Sequence, residues 1–516
     1  MNLLVKLLKL IFNRTTVCVI GILIQVGYLI SLFWTLGTAY TYSYPAFVLL
    51  GLIMTIAIVS SEMNPSYKIA WIITILTFPI FGVMFYVFFG NSKSGNRLRK
   101  RMNKYNEEER LLLAQKPESL DDLWGDSSDA EKQARYLMQY GGYPTYKNTV
   151  TQYFPIGEAK FETLIRELEN AKRFIFLEYF IIQEGKMWNT ILEILARKVK
   201  EGVDVRVVYD DIGCLFTLPY KYDKKLEAMG IQCRVFNKFK PIWSAKMNNR
   251  DHRKILIIDG HTAFNGGINL ADEYINEYEK HGHWKDSAVM LKGEAVWSFT
   301  MMFLTMWNYL TAGKAASINS YMPQAEDIAP YKKSSGFIVP FTDSPLDDEP
   351  VGENVYLNII NSASKYVYIT TPYLVIDNEM STALILAAKS GVDVRIITPH
   401  VADKWFVHAV SRANYKHLTK HGVRIYEYTP GFIHAKNFVS DDTTAVVGTI
   451  NLDFRSLYLH FECATWMYKT ECILDVKKDY LETLEKCQEV TYGDCCNVNI
   501  FVRMIRALLR LFAPMM

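Results

Sequence analysis

A pentapeptide that occurs twice constrains this chain more than any other feature: Gly202-Val-Asp-Val-Arg206 returns as Gly391-Val-Asp-Val-Arg395. The likeness extends upstream, where Ala171-Lys-Arg-Phe-Ile-Phe-Leu-Glu-Tyr is matched by Ala363-Ser-Lys-Tyr-Val-Tyr-Ile-Thr-Thr. Each copy reads as a helix, an apolar strand, a second helix ending at the glycine, and Val-Asp-Val-Arg as the next strand. Strands alternating with helices imply an α/β layer architecture. A period this long is a duplicated domain, not a solenoid. The copies are placed at 148–312 and 338–500, joined by a connector at 313–337 rich in Ala, Ser, Pro and Lys. A polar linker at 96–147 precedes them, and a basic amphipathic segment at 501–516 follows.

Residues 1–95 have a different character. Apolar stretches run over 17–36, 44–60 and 69–90; the first and third approach the ~20 residues of a spanning helix, and the second is marginal. That is too much apolar chain for a cleavable signal peptide, so two to three transmembrane helices in a cell membrane are expected. Pro79 implies a kink or re-entrant shape in the third. Basic residues flank both ends, Lys6, Lys9 and Arg14 before the first stretch and Arg97, Arg99, Lys100, Arg101 and Lys104 after the third. Each flank points to the cytoplasm, which three full spans cannot satisfy at once. The larger run adjoins the duplicated portion, which is therefore expected on the cytoplasmic side.

At 516 residues there is ample length for two cores, and the 14% aromatic content suits contact with a bilayer. A net charge of only +3 supplies no global field for nucleic acid, which is not expected as a partner. The eight cysteines do not read as a disulfide framework, and most fall in apolar contexts suited to buried thiols; Cys495-Cys496 has no reading. The tail 501–512 sets three arginines among large apolar residues at helical spacing. That pattern suits a helix lying on anionic lipid, with a core-packed helix as the alternative.

Chemistry-bearing residues fall at the same place in both copies. The first holds His252-Arg-Lys254-Ile-Leu-Ile-Ile-Asp259-Gly260, then Gly266-Gly267-Ile-Asn269; the second holds His434-Ala-Lys436-Asn-Phe-Val-Ser-Asp441, then Gly448-Thr449-Ile-Asn451. Residues two apart on a strand share a face, so each His and its Lys project together. Ile255 to Ile258 reads as a buried strand and Asp259-Gly260 as its turn. The small residues Gly267 and Thr449 leave room for backbone N–H groups to approach an anion, and Asn269 and Asn451 are expected to open helices whose free amides favour phosphate. Facing halves would set two imidazoles, two ammonium groups and two amides around one phosphorus. One H-x-K-x-x-x-x-D match arises by chance in roughly a few per cent of chains this long; two at matched places in a duplication do not. His281-Gly-His283 lacks a third ligand at suitable spacing, so no metal site is expected.

These paired motifs resemble the phospholipase D superfamily, and the chain resembles bacterial cardiolipin synthases along nearly its whole length. The narrower likeness rests on Asn64-Pro65, Trp71, Pro79 and Gly90 in the last apolar region, on Thr371-Pro372-Tyr373, on Gly431-Phe-Ile-His-Ala-Lys436, and on Asn451-Leu-Asp453-Phe-Arg455-Ser456 running to Phe461-Glu462. Thr449 stands where the family often has Ser, and keeps the hydroxyl. The resemblance implies two phospholipase D-like domains, each a mixed sheet flanked by helices, facing each other behind a transmembrane region. It implies one His as nucleophile, taken as His252, and the other, His434, as general acid and base. Lys254, Lys436, Asn269 and Asn451 would steady phosphoryl charge, while Asp286 and Glu462 would orient the imidazoles. Asp259 and Asp441 complete the catalytic motif, with bracing of the loop as their expected work. The implied substrates are phosphatidylglycerol as donor and acceptor, in anionic membrane lipid and without a cofactor. A phosphatidylserine synthase, a lipid-hydrolysing phospholipase D, an endonuclease and a non-catalytic membrane scaffold are the alternatives. Nothing in the sequence speaks to oligomeric state.

Overall fold

The computed structural model describes residues 40–90, 96–113, 121–239, 248–312 and 318–515, with single gaps at 124, 333 and 348, and scattered helical positions between 23 and 35. The apolar stretch 17–36 lies for the most part outside the described residues. The chain divides into two compact units: 1–97 with 237–249 and 511–516, and 98–236 with 250–510.

In the first unit the stretch 44–60 lies in the helix Tyr40–Val59. The stretch 69–90 does not form one spanning helix. It is split between Pro65–Thr77, Pro79–Phe85 and a π-turn at Tyr86–Gly90. Proline disfavours the helical conformation in the residue before it and lacks an N–H. Phe78 accordingly sits at φ −130°, ψ 75°, so in place of the kink or re-entrant shape expected at Pro79 the helix breaks fully. The two short helices cross closely because Gly82 has no side chain: a Cβ there would meet Ile75 Cα at 2.5 Å. Ile58, Trp71, Ile75 and Val83 form the buried knot, while Leu49, Leu52, Ile53, Ile56 and Val59 stay exposed. Among the described residues no helix is long and apolar enough to cross a membrane.

The second unit contains the duplication. In the first half the strands are β1 (Thr149–Phe154), β2 (Phe174–Tyr179), β3 (Asp204–Asp210), β4 (Gln232–Phe236), β5 (Arg250–Asp251), β6 (Lys254–Ile258), β7 (Thr262–Gly266), β8 (His283–Lys285) and β9 (Ala288–Gly293). In the second half they are β10 (Phe337–Asp343), β11 (Tyr366–Thr370), β12 (Leu374–Val375), β13 (Asp393–Pro399), β14 (Arg424–Tyr428), β15 (Gly431–Ile433), β16 (Asn437–Ser440), β17 (Thr444–Gly448), β18 (Leu452–Asp453), β19 (His460–Tyr468) and β20 (Cys487–Val490). The sheets run β1-β9-β7-β6-β2-β3-β4 and β10-β19-β17-β16-β11-β13-β14-β20, one order repeated with β20 added. Strands β2, β3 and β4 pair in parallel, as do β11, β13 and β14, and the other sheet pairings are antiparallel. The expected mixed sheets flanked by helices are present in both copies.

The helix Val296–Thr311 is buried at every position from Val296 to Asn308, as a helix apolar all round must be. It packs on β2, β4, β6, β7 and β9 of one half and on β10 of the other. Two short parallel pairings also join the halves. Arg250 and Asp251 of β5 pair with His460 and Phe461 of β19, and β8 pairs with β15 from His283–Gly431 to Lys285–Ile433. At the C-terminus the helix Ile500–Leu511 contains no buried residue, so the core-packed alternative does not hold. The described cysteines are free, and Cys214, Cys233, Cys463 and Cys472 are buried.

Candidate active site

The motif histidines directly follow β5 and β15, two of the strands that join the halves. His252 follows β5, which is held to the end of β3 by Asp210: its Oδ2 accepts from Arg250 Nε at 2.9 Å and from the Asp251 N–H at 3.1 Å. His434 follows β15. The backbone N–H of His252 donates to Phe461 O at 2.9 Å, and that of His434 to Lys285 O at 2.7 Å. In each case the next residue of the other half is an acid. His252 Nδ1 lies 2.9 Å from Glu462 Oε1, and His434 Nδ1 lies 2.6 Å from Asp286 Oδ2. Each imidazole is thus oriented by a carboxylate from the opposite copy. A carboxylate at Nδ1 holds the proton there and leaves Nε2 with its lone pair.

Lys254 and Lys436 share a face with their histidines and are buried, each donating to the carbonyl of its own His, Lys254 at 2.6 Å. Burial pushes the Lys254 ammonium down to about 8 and Lys436 to about 7. It likewise pushes His434 down to about 4, with Lys436 adding to the effect and Asp286 opposing it. His252 falls well below the ordinary imidazole value through burial, then through Lys254 and His460. Glu462 is pushed well above the carboxylate range by burial. Desolvation dominates throughout, so an anion entering the site would restore charge to the lysines.

The other sequence-predicted residues divide. Thr449 Oγ1 donates to Glu462 Oε2 and accepts from the Cys463 N–H, so it positions the acid. Gly267, at the matched position, leaves the space that Asp286 fills: a Cβ there would meet Asp286 Oδ1 at 2.1 Å. Asn269 uses both ends of its amide within the protein, accepting from the Ile181 N–H at 3.0 Å and donating to Tyr274 Oη at 2.7 Å. Asn451 is buried with its Oδ1 unpartnered. Neither Asn opens the expected helix. A four-residue 3-10 turn begins only at Asp272, and a five-residue helix follows Asp453, which caps it through the Ser456 N–H. Asp259 and Asp441 are not with the imidazoles. They sit at the far ends of β6 and β16, both at φ 54°. Asp259 accepts from the amides of Lys172, Arg173 and Phe174, and Asp441 from those of Ser364, Lys365 and Tyr366. Their carboxylates anchor the entry to β2 and β11.

Several neighbours carried no motif signal. Lys160 is fully buried on the helix Gly157–Glu169, its Nζ 3.3 Å from Ile268 O. Burial pushes it down to about 7, against the pull of Asp286. Phe180 lies edge-on to His252 at 5.0 Å, and Trp284 and Tyr274 flank His434 at 5.6 and 5.7 Å. His460 lies 5.5 Å from His252. Its signal was available, two residues before Glu462 on one strand and hence on the same face.

A family model described as cardiolipin synthase, PLD-like domain, matches residues 164–307 and 356–484, and one described as phospholipase D-nuclease N-terminal matches 48–91. An uncharacterized protein of Streptococcus mutans is 48% identical over 89% of this chain and 98% of its own length. The cardiolipin synthase of Alkalihalophilus pseudofirmus is 30% identical over 94% of this chain and 95% of its own, and that of a Geobacillus species 32% over 90% and 92%. Among solved structures, the phosphatidylserine synthase of Haemophilus influenzae superposes with a TM-score of 0.55 at 14% identity, over 75% of this chain and 98% of its own. At that identity it shares the fold alone.

Proposed function

The chain belongs to the cardiolipin synthase family of phospholipase D-like phosphatidyltransferases, and from that premise we propose that it joins two phosphatidylglycerol molecules into cardiolipin and glycerol. The observation that carries this reading is the reciprocal pairing of each motif histidine with an acid from the other half. In the first step Nε2 of His252 attacks phosphorus, and the P–O bond to the terminal glycerol breaks as His434 gives that oxygen its proton. In the second, His434 takes the proton from the hydroxyl of an incoming phosphatidylglycerol, whose oxygen displaces His252. Lys254 and Lys436 balance the negative charge that grows on the phosphoryl oxygens. The route calls for no cofactor.

The two acids support this division of labour. Asp286 stands closest to its imidazole, as befits the ring that must hold a proton between turnovers, a proton that burial opposes and the entering anionic phosphate favours. Glu462, raised by burial, is the weaker counter-ion and favours a neutral, nucleophilic His252. Both substrates live in a bilayer, and we place the enzyme there through its apolar N-terminal region as a multi-pass protein. The exposed Leu and Ile of Tyr40–Val59 and the arginine-bearing, outward-facing apolar side chains of Ile500–Leu511 support this.

Purified protein in phosphatidylglycerol vesicles should release one glycerol for each cardiolipin formed; phosphatidic acid in its place would make the enzyme a hydrolase. His252→Ala and His434→Ala should each lose roughly a thousandfold or more in turnover. With a donor whose leaving group needs no protonation, His434→Ala should still form a covalent phosphatidyl-enzyme and His252→Ala should not. Label retained by His252→Ala instead reverses the assignment.

A further inference from the structure

His460 has no part in the two-step route, yet both of its ring nitrogens are buried without a hydrogen-bond partner. Such an arrangement is costly for a polar group and asks for a ligand. Its Nδ1 lies 3.6 Å from Glu462 Oε1, the same oxygen that stands 2.9 Å from His252 Nδ1. One carboxylate oxygen thus sits between two imidazole nitrogens. A ligand atom from each of the three residues lies within 4.8 Å of the others, and this is the one such group among the described residues. Tetrahedral zinc, with Zn–N and Zn–O near 2.0–2.2 Å, sets neighbouring ligand atoms about 3.3 Å apart. The distances of 2.9 and 3.6 Å straddle that value.

We propose that His252, His460 and Glu462 form an inhibitory site for a zinc-type transition-metal dication. Two imidazoles and a carboxylate with an open fourth position form a donor set that suits zinc, whereas magnesium and calcium prefer all-oxygen shells. The metal takes the place of the proton between His252 and Glu462, releasing it to solvent, and holds the ring away from phosphorus. The site forms around His252 alone, which belongs to the first copy, with His460 and Glu462 from the second. At the position matching His460 the first copy has Trp284, whose ring lies tilted against His434 at 5.6 Å and offers no ligand atom.

The test uses the full chain in detergent, titrated with zinc by calorimetry and with cobalt by the visible absorption of a tetrahedral site. One metal per chain is expected, with turnover lost on binding and recovered on adding a chelator. His460→Asn should weaken binding and inhibition together by roughly tenfold or more, measured against its own metal-free rate; His460→Gln serves if Asn lowers the melting temperature. Glu462→Gln should remove the cobalt spectrum. Unchanged zinc affinity in both His460 variants, the absence of one-to-one binding, or inhibition that survives the chelator would each overturn the site. Calorimetry is read without turnover, so its outcome is separate from that of the synthase assay.

Discussion

The two halves of the catalytic unit share strand order, turn and register, yet differ at four matched positions, the acids and three neighbours. Lys160 and Tyr356 reach the same place, one donating to Ile268 O at 3.3 Å and the other to Ile450 O at 2.9 Å. Gly267 is matched by Thr449, Trp284 by His460, and Asp286 by Glu462, as the pairings of Gly266 with Ala288 and Gly448 with Ala464 establish. These differences are coupled. The shorter acid, Asp286, comes within 2.6 Å of its imidazole and fills the space beside Gly267. The longer Glu462 leaves room for the Thr449 hydroxyl, which donates to it. Backbone symmetry sets each imidazole against an acid of the other copy; the side chains around the acids then make the two unequal. With the proposed roles, the duplicated scaffold divides nucleophile from acid without altering either motif.

The largest test of that inequality lies in the acids themselves. Asp286→Asn and Glu462→Gln should each reduce kcat by about a thousandfold to ten-thousandfold, the scale seen when a catalytic imidazole loses its carboxylate. They should differ in kind. Asp286→Asn weakens a proton donor, so its loss should shrink with a donor lipid bearing an activated leaving group. Glu462→Gln weakens the nucleophile, and its loss should persist with that donor. Equal responses to the leaving group would mean that the halves are interchangeable.

A smaller effect separates the lysines. Their ammonium groups are needed charged, and burial holds Lys436 at about 7 and Lys254 at about 8. In the free enzyme kcat/KM, already falling about tenfold per unit above pH 4 through loss of the His434 proton, should therefore steepen as pH rises through 7 to 8, where the lysine protons are lost. Stability runs the other way. Both folded values lie below the ordinary lysine value, so from near neutrality up to about pH 10 the folded state binds fewer protons than the unfolded one and gains stability as pH rises. Lys436→Arg, which keeps its charge, should carry the alkaline limb of kcat/KM upward, and Lys254→Arg should move it less. A limb unmoved in both variants would assign it to another group.

How much of this could be read from the chain depended on how local each feature is. The His–Lys pairs and the Asp259-Gly260 turn follow from neighbours in sequence, where strand periodicity and turn chemistry decide the outcome. Which acid serves which histidine does not follow locally, because it rests on the pairing of β5 with β19 and β8 with β15, strands from opposite copies. Lys160 sits on an amphipathic helix with no motif around it, and only folding brings its ammonium beside Asp286. The helices expected at Asn269 and Asn451 fail because both asparagines fall in loop chain, the first tied to Ile181 and Tyr274. Hydropathy alone made one helix of 69–90, although Pro79 already marked where it breaks.

The smallest effect on turnover should come from the motif aspartates, although they are as conspicuous in sequence as the histidines. Asp259 is 4% exposed, and its carboxylate satisfies three backbone amides at the entry to β2. Alanine there would strand those donors and place a Cβ residue at φ 54° without the local hydrogen bonds that make the conformation tolerable for Asp. A loss of about 3 kcal/mol or more is expected from charged hydrogen bonds of this kind. Asp441 makes the same three bonds to backbone amides, but water reaches it, so Asp441→Ala should cost about half as much. Burial opposes ionisation of Asp441, but the amides of Tyr366, Ser364 and Lys365 outweigh it and hold the carboxyl below its ordinary value. A depressed carboxyl contributes stability above its unfolded pKa and loses it as pH falls through the folded one. The gap between wild type and Asp441→Ala should therefore close in acid. Chemical denaturation at neutral and acid pH measures both costs, and kcat of the folded fraction should stay within a few-fold of wild type. A thousandfold loss of turnover in well-folded Asp259→Ala or Asp441→Ala would return these carboxylates to the chemistry and undo the separation between anchoring and reacting ends of β6 and β16.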